Sequence, residues 1–233
     1  MDYKLKLSYN IYMNKTKFIL ITIASESLAI LLIFVALILT DSITALDKYC
    51  FNVLTANRTN FFNWFFVLIT FLGETKVIVL ACLILLCLPN RKKVGIPVIL
   101  AVIASATINF LLKIIFQRQR PEGYFLTDAP LGYPFPSSFS FPSGHSQTGT
   151  VFYFALNYFL CKNYYKKPWI EILSWSATVV ICLLICISRI YLGVHFFSDV
   201  VCGLMIAIAI ISVLVLISTS KSKKIILNKN KQT

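Results

Sequence analysis

Two histidines occur in the 233-residue chain, His145 and His195, and each stands in a short polar segment beside a long apolar run. Upstream lies Lys113-Ile-Ile-Phe-Gln-Arg-Gln-Arg120-Pro121, then Pro142-Ser143-Gly144-His145, then Ser188-Arg189-Ile-Tyr-Leu-Gly-Val-His195-Phe-Phe-Ser-Asp199. Lys113 and Arg120 are seven apart, which on a continuous helix is two turns and one face. His195 and Asp199 are four apart and neighbours if helical. Three cations, two imidazoles and one carboxylate are thus set beside apolar runs where charge is costly, and such a gathering points to function.

The chemistry these types suit is phosphoryl transfer. A transferring phosphoryl group spreads negative charge over its equatorial oxygens, which guanidinium forks match in geometry. Lys113, Arg120 and Arg189 are the expected phosphate-holding cations. Backbone N–H groups around Ser143 and Gly144, at a helix start, are expected to add donors, with Gly144 permitting close approach. His195 is the expected nucleophile, attacking while neutral and forming a phosphohistidine. His145 is the expected general acid, protonating the leaving oxygen. Asp199 accepts the His195 ring N–H, fixes its tautomer and raises its nucleophilicity. The three cations supply the charge, so this reading calls for no metal and no cofactor. The sequence also lacks a carboxylate-rich magnesium pattern and an HExxH zinc pattern.

The elements that must position these residues are membrane spans. Hydrophobic residues make up 58% of the chain and charged ones 13%, with mean hydropathy +0.79, and the apolar residues come in blocks too long for a water-soluble core. Six spans are expected, near 18–40, 75–88, 94–116, from after Pro142 to Cys161, 169–188 and 196–217, in one all-α membrane domain over residues 1–233. The first is expected to be an uncleaved anchor, whether translation begins at Met1 or Met13. The aromatic stretch Phe61 to Phe66 suits a helix in the headgroup layer.

The net charge of +13 does not imply nucleic acid, because the basic residues fall in alternate gaps. Lys4, Lys6, Lys15 and Lys17 precede the first run; Arg91–Lys93 and Lys162–Lys167 fill two turns; Lys221–Lys231 form the tail. Basic loops lie in the cytoplasm, so both termini are expected there. The three motif segments are then expected outside, on the periplasmic or extracellular side. The seven cysteines lie mostly in apolar runs without a CxxC pair and read as small buried hydrophobes, Cys182 and Cys186 included.

Together, Lys113-x6-Arg120-Pro121, Pro142-Ser143-Gly144-His145 and Ser188-Arg189-x5-His195-x3-Asp199 resemble the three signature motifs of the type 2 phosphatidic acid phosphatase superfamily, with every signature position filled. The resemblance runs over about residues 94–216 and implies a metal-independent lipid phosphatase with the roles given above. The short chain looks like the bacterial branch, which includes undecaprenyl-diphosphate and phosphatidylglycerophosphate phosphatases. A lipid phosphate or diphosphate is the implied substrate, with undecaprenyl diphosphate first. Phosphatidylglycerophosphate, phosphatidic acid and lipid A phosphate remain open, as does the oligomeric state.

Rival functions are a lipid phosphotransferase, a vanadium haloperoxidase, disfavoured by the spans, and a transporter or channel, disfavoured because the charges do not sit at mid-membrane. Arg118 reads as a snorkelling headgroup anchor outside the site. Glu26 has no assigned role. Tyr124, Phe125, Tyr133, Phe135, Phe139 and Phe141 read either as an aromatic belt or as a substrate entrance. In a phosphate-release assay, His195→Ala is expected to lose at least ~10³-fold. Asp199→Asn should lose less, and Arg120→Lys should also be impaired, because a point charge cannot replace a fork.

Overall fold

The computed structural model describes residues 3–56 and 58–229, with side chains described for 14–56 and 58–220. Among these residues the structure is helical, with no strand. The helices are α1 (Tyr3–Leu39), α2 (Thr44–Thr55), α3 (Asn60–Phe71), α4 (Thr75–Cys87), α5 (Gly95–Phe116), α6 (Thr150–Asn163), α7 (Pro168–Tyr191) and α8 (Phe197–Lys229). A single π turn, His145–Gly149, leads into α6. The side chains of Lys4, Lys6 and the tail lysines Lys221–Lys231 lie outside the described set.

Among the described residues, four helices are long and apolar enough to cross a membrane: 14–39, 95–116, 168–191 and 197–220. A fifth crossing exists if α3 and α4, bent by 43° at their break, act as one. The expected boundaries near 75–88 and 94–116 match α4 and α5 closely. Residues 41–73 fold as two helices, with α2 unanticipated and α3 covering the aromatic stretch. The fourth expected span is the π turn plus the 14-residue α6, which by itself is short for a roughly 30 Å hydrocarbon layer. Large side chains such as Phe18, Leu32, Leu80, Leu100, Ile115 and Ile172 face outward, as a lipid solvent permits.

Proline begins α7, where its missing N–H costs nothing. Gln117, with φ 44°, ends α5 in a left-handed cap. The core joins Ile78, Cys82 and Leu85 of α4, Val98 and Val102 of α5, Phe152 and Phe159 of α6, and Ala207 of α8. α1 lies along α8 with little of its own surface buried, and Glu26 is exposed on it. All seven cysteines are free thiols; Cys82, Cys182, Cys186 and Cys202 are buried as expected, whereas Cys50 and Cys161 are half-buried and Cys87 is exposed at the end of α4.

A second cluster caps one end of the bundle: Val67 of α3, Ala129 and Tyr133 of the long loop, and Tyr191, Leu192 and Val194 of the α7–α8 turn. The Leu126 N–H donates to the Leu192 carbonyl at 3.2 Å. Arg58 Nη2 donates to the carbonyls of Tyr124 (2.8 Å) and Tyr191 (2.5 Å). Gly193, with φ +71°, is what lets loop and turn meet. A Cβ there would lie 2.0 Å from the Tyr124 carbonyl oxygen. Gly193→Ala is therefore expected to cost about 3 kcal/mol or more, seen as a large drop in melting temperature in detergent.

Candidate active site

The three polar segments converge at this capped end, joined by backbone as well as side chains. The Ser143 N–H donates to the Asp199 carbonyl at 3.1 Å, and the Ser140 N–H donates to the Arg118 carbonyl at 2.8 Å. Gly203 of α8 lets the Ser143 carbonyl close in, since a Cβ there would sit 2.8 Å from it. Gly144 packs similarly on Asn109, whose Oδ1 would be 3.2 Å from an added Cβ. Asn109 in turn donates to Gln147 Oε1 (2.9 Å) and the Pro142 carbonyl (3.2 Å), holding the segment after the cis Phe141-Pro142 bond.

His195 is buried, 2% exposed, and lies in the turn before α8 rather than on the helix. Its relation to Asp199 is therefore not the helical i, i+4 contact the spacing suggested. Nδ1 is 3.6 Å from Asp199 Oδ2 but 3.3 Å from Ser140 Oγ, which donates to the same Oδ2 at 2.5 Å. Ser140 thus links ring to carboxylate: it accepts from Nδ1–H and donates to Asp199. Asp199 Oδ2 also accepts the Phe196 N–H at 3.0 Å, capping α8. With Nδ1 carrying the proton, Nε2 carries the lone pair, and Arg120 Nη1 lies 3.1 Å from it.

Lys113 and Arg120 do not share a helical face, because α5 stops at Phe116 and Arg120 lies in the loop. They meet anyway: Lys113 Nζ and Arg120 Nη2 both donate to the Phe139 carbonyl, the latter at 3.3 Å. Arg120 also donates to the carbonyls of Ser138 and Val194, each at 2.6 Å. Arg189, at the end of α7, is 1% exposed. Its Nη1 donates to Thr70 Oγ1 (2.5 Å) and Tyr133 Oη (2.7 Å), while its Nε is buried without a hydrogen-bond partner.

Burial first, then the charges of Arg120, Arg189 and Lys113, hold the His195 imidazole well below the ordinary histidine value, so it is neutral at pH 7. Burial, and then Arg189, lower Arg120 to about 10, which leaves it charged.

Two expected residues are placed differently from their expected roles. Ser143 is fully buried, with its N–H committed to Asp199 and its hydroxyl accepting from Ser146 Oγ at 2.9 Å. It builds the wall of the site rather than facing into it. Arg118 is no headgroup anchor. It donates to Asp199 Oδ1 at 2.6 Å, Ser198 Oγ at 2.8 Å and Asp47 Oδ2 at 2.9 Å, bridging two carboxylates with its guanidinium 4.2 Å from the Phe196 ring centre. Asp47 of α2, 1% exposed, also accepts the Ser198 N–H at 2.9 Å and its hydroxyl at 2.8 Å.

The aromatic loop residues are mostly packing rather than a belt. Tyr124 stacks on Phe51, Phe125 meets Phe135 edge-on, and Phe141 packs at a tilt against Phe116. Phe135 and Phe139 help line a cavity of about 210 Å³ beside Arg120, with Gln119, Glu122, Ser137 and Ser138.

Residues 95–223 match the PAP2 superfamily. The chain belongs to that superfamily. It is 31% identical over 175 residues to phosphatidylglycerophosphatase B of Bacillus subtilis (strain 168), covering 74% of this chain and 83% of that one. It is 25% identical over 177 residues to undecaprenyl-diphosphatase of Sulfolobus acidocaldarius, covering 75% and 79%. The crystal structure of a transmembrane PAP2 type phosphatidylglycerolphosphate phosphatase from Bacillus subtilis superposes with a TM-score of 0.71 and 28% identity, over 82% of this chain and 93% of that one. The molecule is thus a membrane lipid phosphatase of the PAP2 type, a hydrolase of phosphate esters.

Because Arg118 neutralises two buried carboxylates, Arg118→Ala is expected to cost about 3 kcal/mol or more of stability along with activity. Ser140→Ala, which frees the His195 ring without orphaning a charge, is expected to keep the melting temperature and lower kcat about tenfold or more. Thermal melts beside steady-state phosphate release check both.

Proposed function

We propose that this PAP2 protein hydrolyses the terminal phosphate of a lipid phosphate through a phosphohistidine on His195, without a metal, at the outer face of the cell membrane. The observation that carries this is the His195 ring: neutral, held at Nδ1 through Ser140 and Asp199, with Nε2 facing Arg120. Arg189 Nε and His145 Nε2, both buried without a hydrogen-bond partner, are the polar atoms a phosphate oxygen and a leaving oxygen would satisfy.

In the first step the Nε2 lone pair forms a bond to phosphorus as the phosphorus–oxygen bond to the lipid breaks. Arg120 transfers its contact from Nε2 to a phosphate oxygen, with Lys113 and Arg189 holding the others and the Gly144 turn alongside. The leaving oxygen takes its proton from His145. In the second step His145, now neutral, takes a proton from water as the water oxygen bonds to phosphorus and the phosphorus–nitrogen bond breaks. Phosphate leaves and both rings regain their starting protonation. The fixed cations meet charge as it develops, without reorganisation.

The outward orientation and the six-span count rest on the basic turns Arg91–Lys93 and Lys162–Lys167, the second of which is tied to α8 where Lys162 Nζ donates to Ser218 Oγ at 2.7 Å. Phosphatidylglycerophosphate and undecaprenyl diphosphate are the leading substrates. The phosphatidylglycerophosphatase relative is the more similar of the two. A rapid acid-avoiding quench with 32P-labelled lipid is expected to trap alkali-stable label on wild type and none on His195→Ala. In a lipid panel, phosphate release is expected to continue in EDTA and not to depend on an added acceptor alcohol. Loss of turnover in EDTA would count against the metal-free reading, and acceptor dependence would favour a phosphotransferase.

A further inference from the structure

One carboxylate in the site has no part in the reaction described so far. Glu74 sits at the break between α3 and α4, and its Oε2 lies 3.3 Å from His145 Nε2, at ion-pair distance though not in a formed hydrogen bond. The break is built for this approach. Gly73 lies so close to the ring that a Cβ on it would be 3.1 Å from His145 Cδ2 and 2.8 Å from Ile185 Cγ2. The turn is closed by the Gly73 N–H on the Thr70 carbonyl and the Glu74 N–H on the Phe71 carbonyl, each at 3.0 Å. The same turn therefore presents Thr70 to Arg189 and Glu74 to His145.

Burial, then Arg189 of α7 and Arg120 of the loop, lower the His145 ring to about 4, while Glu74 acts to raise it; His195, from the α7–α8 turn, also faces the ring. Both cations oppose a proton on His145. Glu74 is the only carboxylate among these groups. Lys76 and Arg189 face Glu74 itself. An acid that must give a proton to a leaving oxygen has to hold that proton beforehand, and Glu74 is the group beside the ring that works in favour of it.

How much this matters depends on the substrate. When a phosphomonoester is cleaved the leaving group is an alkoxide, which needs the proton. When a diphosphate is cleaved the leaving group is a phosphate, stable as an anion, and the second phosphate would also bring negative charge toward Glu74. We propose that Glu74 is a positioning residue for His145, favouring a transferable proton on the Nε2 it faces until the leaving oxygen takes its place there, and that it directs this enzyme to lipid phosphomonoesters over diphosphates. The inference rests on His145 being the general acid.

The test compares wild type, Glu74→Gln and His145→Asn on three substrates: phosphatidylglycerophosphate, undecaprenyl diphosphate and p-nitrophenyl phosphate, whose leaving group needs little protonation. His145→Asn is expected to lose about 10²-fold or more on the monoester lipid and far less on the aryl ester. Glu74→Gln is expected to follow the same order, about tenfold or more on the monoester lipid and within about threefold on the other two. The basic limb of its pH–kcat profile on the monoester should move to lower pH.

Equal losses for His145→Asn on lipid and aryl ester would remove the general-acid reading itself, and the role of Glu74 with it. A leaving-group dependence in His145→Asn that Glu74→Gln does not share, or an unmoved basic limb, would overturn the role of Glu74 alone. If Glu74→Gln does not fold, Glu74→Asp supplies the comparison. It should keep the preference for the monoester, and an undiminished monoester rate with the preference lost would overturn the proposal.

Discussion

Asp199 is fully buried, and a carboxylate taken out of water persists only where donors replace the water. Those donors come from three separate stretches of chain: the Arg118 guanidinium, the Ser140 hydroxyl and the Phe196 N–H. Satisfying one carboxylate therefore brings together the end of α5, the long loop and the start of α8. Asp47 adds α2 to the same knot through Arg118 and Ser198. The orientation of His195 follows from this arrangement, since the hydroxyl on its Nδ1 is the one that Asp199 holds.

Cations are distributed around the knot by a simple division. Arg118 is spent on carboxylates, while Lys113, Arg120 and Arg189 donate to carbonyls and hydroxyls, neutral partners that leave their positive charge uncancelled. Uncancelled charge in a confined place attracts an anion and keeps imidazole neutral, and both effects suit the phosphohistidine chemistry proposed above. The same field opposes an acid, and this is why a carboxylate at the α3–α4 break has a use. Family membership and local electrostatics thus agree on the class of reaction by independent routes.

Much of this was legible in the sequence because membrane spans and motif spacing are local signals. The ends of α4 and α5, the convergence of the three segments and the burial of Cys82, Cys182, Cys186 and Cys202 all follow from runs of apolar residues and their interruptions. What was not legible depends on distant partners. Arg118 read as an anchor because nothing near it in sequence reveals Asp47, 71 residues away. Ser140 is one serine among several, and only the fold puts its hydroxyl between His195 and Asp199. Helical spacing misled for Lys113/Arg120 and His195/Asp199 because a left-handed cap at Gln117 and a turn before Phe197 interrupt the helices. α2 escaped notice because its polar residues hide a short amphipathic element in a long apolar context.

The π turn at His145–Gly149 holds one residue more per turn than α6, which continues from it. Such bulges recur at functional sites, and here the surplus sets the phase between the histidine and the helix. Removing a single residue from 146–149 would let the wide turn close to an ordinary α turn, so that α6 keeps its packing against α5 and α8 while the backbone carrying residue 145 is redrawn. Chain length in this short stretch therefore fixes the local geometry around residue 145 as much as the identity of the ring does.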